Sequence, residues 1–203
     1  MVKLFGQTYT RSELLPLVGD VRQIGDVTLK TFEDGAGRGV RVADVATGSG
    51  LRFSVLIDRA MDVGAADWAG RPLAWHSGAG VVHPAYYDPV GLGWLRSFPG
   101  GLMVGCGLDN VGVPNVDEGE ELGLHGRLSH APSELISYGG NWQGDEYHLW
   151  VRGRVRHYRL FSHNLVLERT IRTRLGSNQL RIEDRITNQG FEPTPFQILY
   201  HCN

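Results

Sequence analysis

The sequence predicts an all-β fold, an antiparallel sandwich or barrel with one short helix near the N-terminus. Three observations carry this. Apolar and polar residues alternate through Gly39–Val45, Leu51–Ile57, Glu146–Val155 and Leu165–Leu175, which is the period of a half-buried strand. Turn-forming clusters separate the runs, spaced about 8 to 12 positions apart as in sandwiches and barrels. No long helical pattern interrupts them, which argues against a parallel α/β sheet.

The elements follow in order. Thr10-Arg11-Ser12-Glu13 fits a capping box ahead of Leu14, Leu15 and Leu17. Pro16 restricts the helix to a turn or two and Gly19 ends it. Strands are expected from Ile24 onward, with a hairpin turn at Thr47-Gly48-Ser49-Gly50 and a continuation through Asp58–Gly64. Residues 74–101 show no period and gather His83, Tyr86, Tyr87 and Trp94 among prolines and glycines, which predicts a long loop with at most a helical turn. Its aromatic faces suit sugar rings, and equally suit filling beneath a loop. The glycine-dense run Phe98–Gly112 suits a ligand pocket better than a core, because it bends sharply and carries few bulky side chains. Then come a short strand at Ser133–Tyr138, a turn at Asn141–Asp145, the strands Glu146–Val155 and Leu165–Leu175, and two more over Leu180–Asn188 and Phe196–Asn203. On Leu165–Leu175 one face carries Leu165, Leu167, Arg169, Ile171 and Thr173. No linker, heptad or low-complexity tract divides the chain, so residues 1–203 read as a single domain.

Composition narrows the function classes. Twenty Lys and Arg against 22 Asp and Glu give a net charge of −2, with no basic patch to hold nucleic acid. No apolar run is long enough to span a membrane and no signal peptide opens the chain. Cys106 and Cys202 do not make a disulfide framework. A cytoplasmic protein with reduced thiols is expected.

Three groups of residues have chemical potential. His125-Gly126-Arg127 offers an imidazole that titrates near neutrality and a guanidinium suited to hydroxyls or anions. Tyr200-His201-Cys202-Asn203 ends an apolar strand, where a side chain emerges at a sheet rim. Asp109 and Asn110 sit in a glycine-rich loop and could bind hydroxyls or their own backbone. His125 and His130 lack helical zinc-ligand spacing and no cysteine pair has ligand spacing, so no metal is expected. Phosphate-loop, dinucleotide and Gly-x-Ser-x-Gly motifs are missing.

Taken together, Gly100–Gly112, Leu124-His125-Gly126-Arg127, Asp184–Asn188 and Leu199–Asn203 resemble a bacterial group, the DUF4432-like branch, related to the aldose 1-epimerases or galactose mutarotases. Asp58–Asp62 fits an early strand of the same group, and the resemblance runs from about residue 11 onward. It implies an antiparallel β-supersandwich that binds a free sugar on its concave face and interconverts its anomers by acid–base ring opening, without cofactor or metal. It implies His201 as the general acid at the ring oxygen and His125 as its assistant. Arg127, Asp109, Asn110 and Asn203 would then contact the sugar, with Arg127 partly replacing an unmatched family arginine or binding an acidic sugar. Family members continue past the second histidine, and their general-base glutamate lies in that later strand. The chain is therefore expected to be the N-terminal part of such a fold, with open sheet edges that favour a homodimer. A non-catalytic carbohydrate-binding domain is the alternative. A sugar isomerase or lyase on the same scaffold is weaker, because fold alone does not fix chemistry.

Overall fold

Two antiparallel sheets face each other across an apolar core in the computed structural model, which describes residues 1–203. In chain order the elements are β1 (Val2–Leu4), β2 (Gln7–Tyr9), α1 (Arg11–Leu14), β3 (Asp26–Thr31), β4 (Arg41–Ala46), β5 (Leu51–Leu56), β6 (Asp62–Trp68) and β7 (Arg71–Pro72). They continue with β8 (Met103–Leu108), β9 (Asn115–Asp117), β10 (Glu120–Leu122), β11 (Glu134–Gln143), β12 (Glu146–Tyr158), β13 (Asn164–Arg174), β14 (Arg181–Asn188) and β15 (Gln197–Cys202). The larger sheet runs β15-β8-β6-β5-β4-β3, with β7 beside β6, and the smaller runs β11-β12-β13-β14. The all-β antiparallel supersandwich expected from the sequence is what forms.

The alternating runs supply the core. Val45, Phe53, Val55 and Val63 of the larger sheet pack against Leu149, Val151 and Ile171 of the smaller one. Burying each such side chain contributes about 1.5–3 kcal/mol. The Leu165–Leu175 face is inward as expected, and Arg169 lies on it with no exposed surface. Its guanidinium is held by Asp184 on β14, with Nε–Oδ1 at 2.8 Å and Nη2–Oδ2 at 2.7 Å, and by the Ala60 carbonyl at 3.1 Å. Asp62 on β6 stands 3.6 Å from the same group, so one buried cation links both sheets. Burial lowers the Arg169 pKa and the two carboxylates raise it; the raising effect wins.

The capping box forms as expected. Thr10 Oγ1 accepts from the Glu13 amide at 3.3 Å and the Glu13 carboxylate accepts from the Thr10 amide at 2.8 Å. Pro16 then sits in a 3-10 turn, Leu15–Leu17. The hairpin of β1 and β2 was not legible, yet Val2 and Leu4 join the main core and close one end of the sandwich.

Four local expectations need correction. Asp58–Met61 is a turn rather than strand, and β6 begins at Asp62. The glycine run is not all loop: Met103–Leu108 forms β8, buried throughout between β6 and β15. Its glycines admit close neighbours, since a Cβ on Gly107 would collide with the Gln197 carbonyl of β15. The strand expected over Ser133–Tyr138 continues to Gln143, because β12 is long enough to pair the extra residues. The turn therefore narrows to Gly144-Asp145. The strand expected over Glu146–Val155 continues to Tyr158, and the connection to β13 is Arg159–His163.

The outer face of the larger sheet, turned away from the core, is covered by the long loop 74–101. Trp94 packs there on Val104 and Cys106, and Val81 packs on Val42 and Leu56. No helix is long and apolar enough to cross a membrane. Cys106 and Cys202 are both free thiols, and burial pushes the Cys106 thiol up to about 12.

Candidate active site

Strand β15 places His201 on the outer face, because it pairs directly with Val104 of β8 and that residue packs against Trp94. Its neighbour Tyr200 points to the opposite face, where its hydroxyl donates to Asp184 at 2.9 Å. His125 arrives from the loop between β10 and β11 in the left-handed conformation, φ 57°. Non-glycine residues hold this conformation only where surroundings enforce it. Three hydrogen bonds do so. The His125 amide donates to the Gly112 carbonyl at 2.9 Å, its carbonyl accepts from the Gly107 amide at 2.9 Å, and its Nδ1 accepts from the Gly112 amide at 3.1 Å.

The result is an edge-to-face histidine pair, with ring centroids 5.5 Å apart and an interplanar angle of 79°. Trp94 and Phe98 form its wall. Trp94 is 4.9 Å from His125 and stacks on Phe98 at 4.5 Å, and Phe98 is 5.7 Å from His201. Because Nδ1 of His125 is an acceptor, the neutral ring carries its proton on Nε2. Burial and then the neighbouring His201 lower the His125 pKa, which favours that neutral form. The His201 ring makes no hydrogen bond to the protein, and its Nδ1 is buried without a partner. A buried polar atom left this way calls for a ligand or water.

The structure brings the two predicted histidines together and gives the other predicted residues internal partners. Asp109 accepts from the amides of Asn110 and Arg127, both at 3.1 Å, and its carboxylate lies 3.6 Å from Arg127 Nε. Asn110 is buried, donates to the carbonyls of Val113 and Gly123, and accepts from Asn115. Its amide therefore shapes the loop. Asn203 donates to the carbonyls of Gly101 and His201 and so fastens the end of β15. Gly126, φ 70°, lies against Asp109 with the carbonyls of Asn110 and Gly107 each 2.6 Å from where a Cβ would stand. The chemistry-bearing step His125-Gly126-Arg127 is thus built on a position that takes only glycine.

A supporting layer was not anticipated. His130 is buried, pairs with Ser97 Oγ at 2.7 Å and Ser129 Oγ at 3.2 Å, and stacks on Tyr87 at 4.0 Å. Burial lowers its pKa to about 2, so it is a neutral structural ring. Trp94 Nε1 donates to Ser129 at 3.2 Å, and the Tyr87 hydroxyl donates to the Gly126 carbonyl at 3.1 Å. Arg59, fully buried, donates through Nη1 to the carbonyls of Val82 at 2.8 Å and Ser97 at 3.1 Å. These bonds tie loop 74–101 to the loop of His125. Tyr87 and Trp94 belong to the aromatic stretch visible in the sequence; Arg59, Phe98 and His130 lie in segments the sequence marked, but nothing there assigned them a supporting role.

No group of three or more His, Cys, Asp or Glu side chains stands close enough to hold a metal. A hollow of about 1040 Å3 lies elsewhere, lined by Leu4, Leu14, Ile24 and Leu51. It contains no histidine, and the unpartnered ring nitrogen of His201 directs attention to the histidine pair instead.

Residues 37–203 match a family model described as a domain of unknown function, DUF4432. No curated protein matches the chain. Among solved structures, a protein from Klebsiella pneumoniae subsp. pneumoniae, provisionally assigned as an aldose 1-epimerase, superimposes with a TM-score of 0.80 at 27% identity. That match covers 87% of this chain and 46% of the Klebsiella chain, so the present chain spans about half of the length of its structural relative. With a model matched over most of its length and this structural neighbour, the chain belongs to the DUF4432 family, on an aldose 1-epimerase-like fold.

Proposed function

We propose that the histidine pair binds the anomeric end of a free sugar and takes part in interconverting its anomers. The observation that carries this is the pair itself: two imidazoles from distant segments meet on an aromatic wall, one of them with a buried, unpartnered ring nitrogen. The Klebsiella relative assigned as an aldose 1-epimerase supports the choice of ligand.

The chemistry needs one proton delivered and one removed. An imidazolium at His201 gives its proton to the ring oxygen as the bond from that oxygen to the anomeric carbon breaks. The anomeric hydroxyl loses its proton and its oxygen becomes the aldehyde carbonyl. Rotation about the adjacent carbon–carbon bond and reversal of both transfers close the ring on the other face. Each positioned proton transfer is worth about 100- to 10,000-fold in rate. His125, held neutral with Nε2–H outward, serves as a fixed donor to a sugar oxygen. The group that takes the hydroxyl proton is assigned to no residue of 1–203. Phe98, half-buried, packs against the apolar face of the sugar ring, with the buried Trp94 stacked behind it. Arg127, beside the site and half exposed, is offered to an acidic or hydroxyl substituent.

One observation favours a binding role without turnover: His125 already spends its Nδ1 on the Gly112 amide and cannot shuttle protons between its two nitrogens. NMR anomer exchange across a panel of aldoses, with wild type and His201→Ala, separates the two. Faster exchange lost in His201→Ala supports catalysis, whereas saturable binding with no faster exchange assigns a carbohydrate-binding role. Absence of any sugar binding overturns both.

A further inference from the structure

A second cavity, about 300 Å3, opens on the same outer face of the larger sheet as the histidine pair. Its volume is at the lower end of small-molecule sites. Its floor is Val42 and Leu56, paired across β4 and β5. One step along the same strands stand Asp44 and Ser54, also paired. Ser54 Oγ donates to Asp44 Oδ1 at 2.7 Å, and Lys30 Nζ reaches Asp44 Oδ2 at 2.6 Å. The cavity therefore offers a carboxylate, an ammonium and a hydroxyl on one side and aliphatic surface on the other.

One backbone segment, Phe98–Gly100, separates this cavity from the histidines. Phe98 turns its ring toward His201 and Trp94, while Pro99 and Gly100 line the cavity. The segment is held in place from the far side. The Ser77 amide donates to the Pro99 carbonyl at 3.0 Å, Ser77 Oγ donates to the Phe98 carbonyl, and His76 bridges Gly100. Two recognition surfaces thus share a fixed partition.

We propose that this cavity is a subsite for a second sugar unit, so that the ligand is a disaccharide or longer saccharide whose reducing end lies at His125 and His201. This rests on the sugar assignment of the histidine site. Paired acceptor and donor groups match vicinal hydroxyls, and Phe32 and Val81, which line the cavity above Val42 and Leu56, match the C–H face of a pyranose. Lys30 is neutralised by Asp44, so a phosphate or carboxylate substituent finds no free cation there and is disfavoured.

The test is calorimetric binding of four aldoses (glucose, galactose, mannose and xylose) and of disaccharides bearing each at the reducing end. Wild type is compared with Ser54→Leu, which fills the cavity, and Asp44→Asn, which keeps its shape and removes the charge. At least one disaccharide is expected to bind wild type about tenfold or more tighter than its own reducing-end aldose, a difference one or two hydrogen bonds supply. Both variants should abolish that advantage and leave aldose affinity unchanged. Equal affinity for aldose and disaccharide in all three proteins overturns the subsite while sparing the histidine site. Failure of wild type to bind any sugar overturns the histidine assignment and the subsite with it.

Discussion

His125 and His201 meet edge to face at 5.5 Å, one ring fixed by a left-handed loop residue and the other carried unbonded on a sheet edge. Burial and the proximity of His201 hold the His125 pKa below the 6.5 of a free imidazole, and Nδ1 is already an acceptor. A depressed histidine pKa contributes stability that is present above the unfolded value and is lost as pH falls through the folded one. Heteronuclear NMR should show His125 as the Nε2–H tautomer with a midpoint under 6.5. A midpoint above 6.5, or the Nδ1–H tautomer, contradicts the geometry.

Gly126 sets where that ring stands. Its φ of 70° and the two carbonyls 2.6 Å from a Cβ leave an alanine no room without moving backbone. Gly126→Ala is expected to cost about 2–4 kcal/mol, combining a strained left-handed residue with a steric clash. Chemical denaturation measures the loss, and the His125 ring signals should shift with it. A variant as stable as wild type would show that the loop relaxes freely and that Asp109 does not fix it.

Much of this frame was legible in the residues because periodicity reports burial directly. Leu165, Leu167, Ile171 and Thr173 announce an inward face, and Arg169 keeps the register although it is charged. The Thr10–Glu13 box was readable because its partners are neighbours in sequence. Strand β8 was obscured because its glycines are chosen for close approach of β6 and β15, a tertiary demand that resembles loop composition. The two histidines were legible as motifs, but Phe98, Arg59 and His130 became part of the site only through contacts between segments far apart in the chain. Asp109 and Asn110 show the reverse. Their residue types fitted either hydroxyl binding or turn formation, and their hydrogen bonds close a loop.

The buried ion network yields a stability prediction. Arg169 satisfies Asp184 through two hydrogen bonds and stands 3.6 Å from Asp62, with none of the three side chains more than slightly exposed. Arg169→Met strands the Asp184 carboxylate, and breaking such a buried pair costs about 3–5 kcal/mol. A double replacement, Arg169→Met with Asp184→Leu, removes the stranded charge and should recover part of the loss. Urea denaturation of both variants checks this, and a single variant within about 1 kcal/mol of wild type would show that water reaches the network.

Asp62 makes the same network pH-sensitive. Burial raises its pKa to about 7, against the opposing pull of Arg169, the Gly105 amide at 2.8 Å and Arg59, while Asp184 adds a like charge. Cys106, the other titratable group nearby, stays a neutral thiol because its own pKa lies at about 12. The Asp62 Oδ2 atom is buried without a partner, which is where a proton can reside. A carboxyl whose folded pKa exceeds its ordinary 3.8 contributes stability that is complete below 3.8 and disappears as pH climbs through about 7. The span between those values sets a ceiling of about 4 kcal/mol. Asp62→Asn cannot ionise and removes this dependence. Denaturation at pH 5 and pH 8 should therefore show Asp62→Asn gaining on wild type at the higher pH. A constant difference between the two proteins would mean that Asp62 is ionised throughout and that Arg169 outweighs its burial.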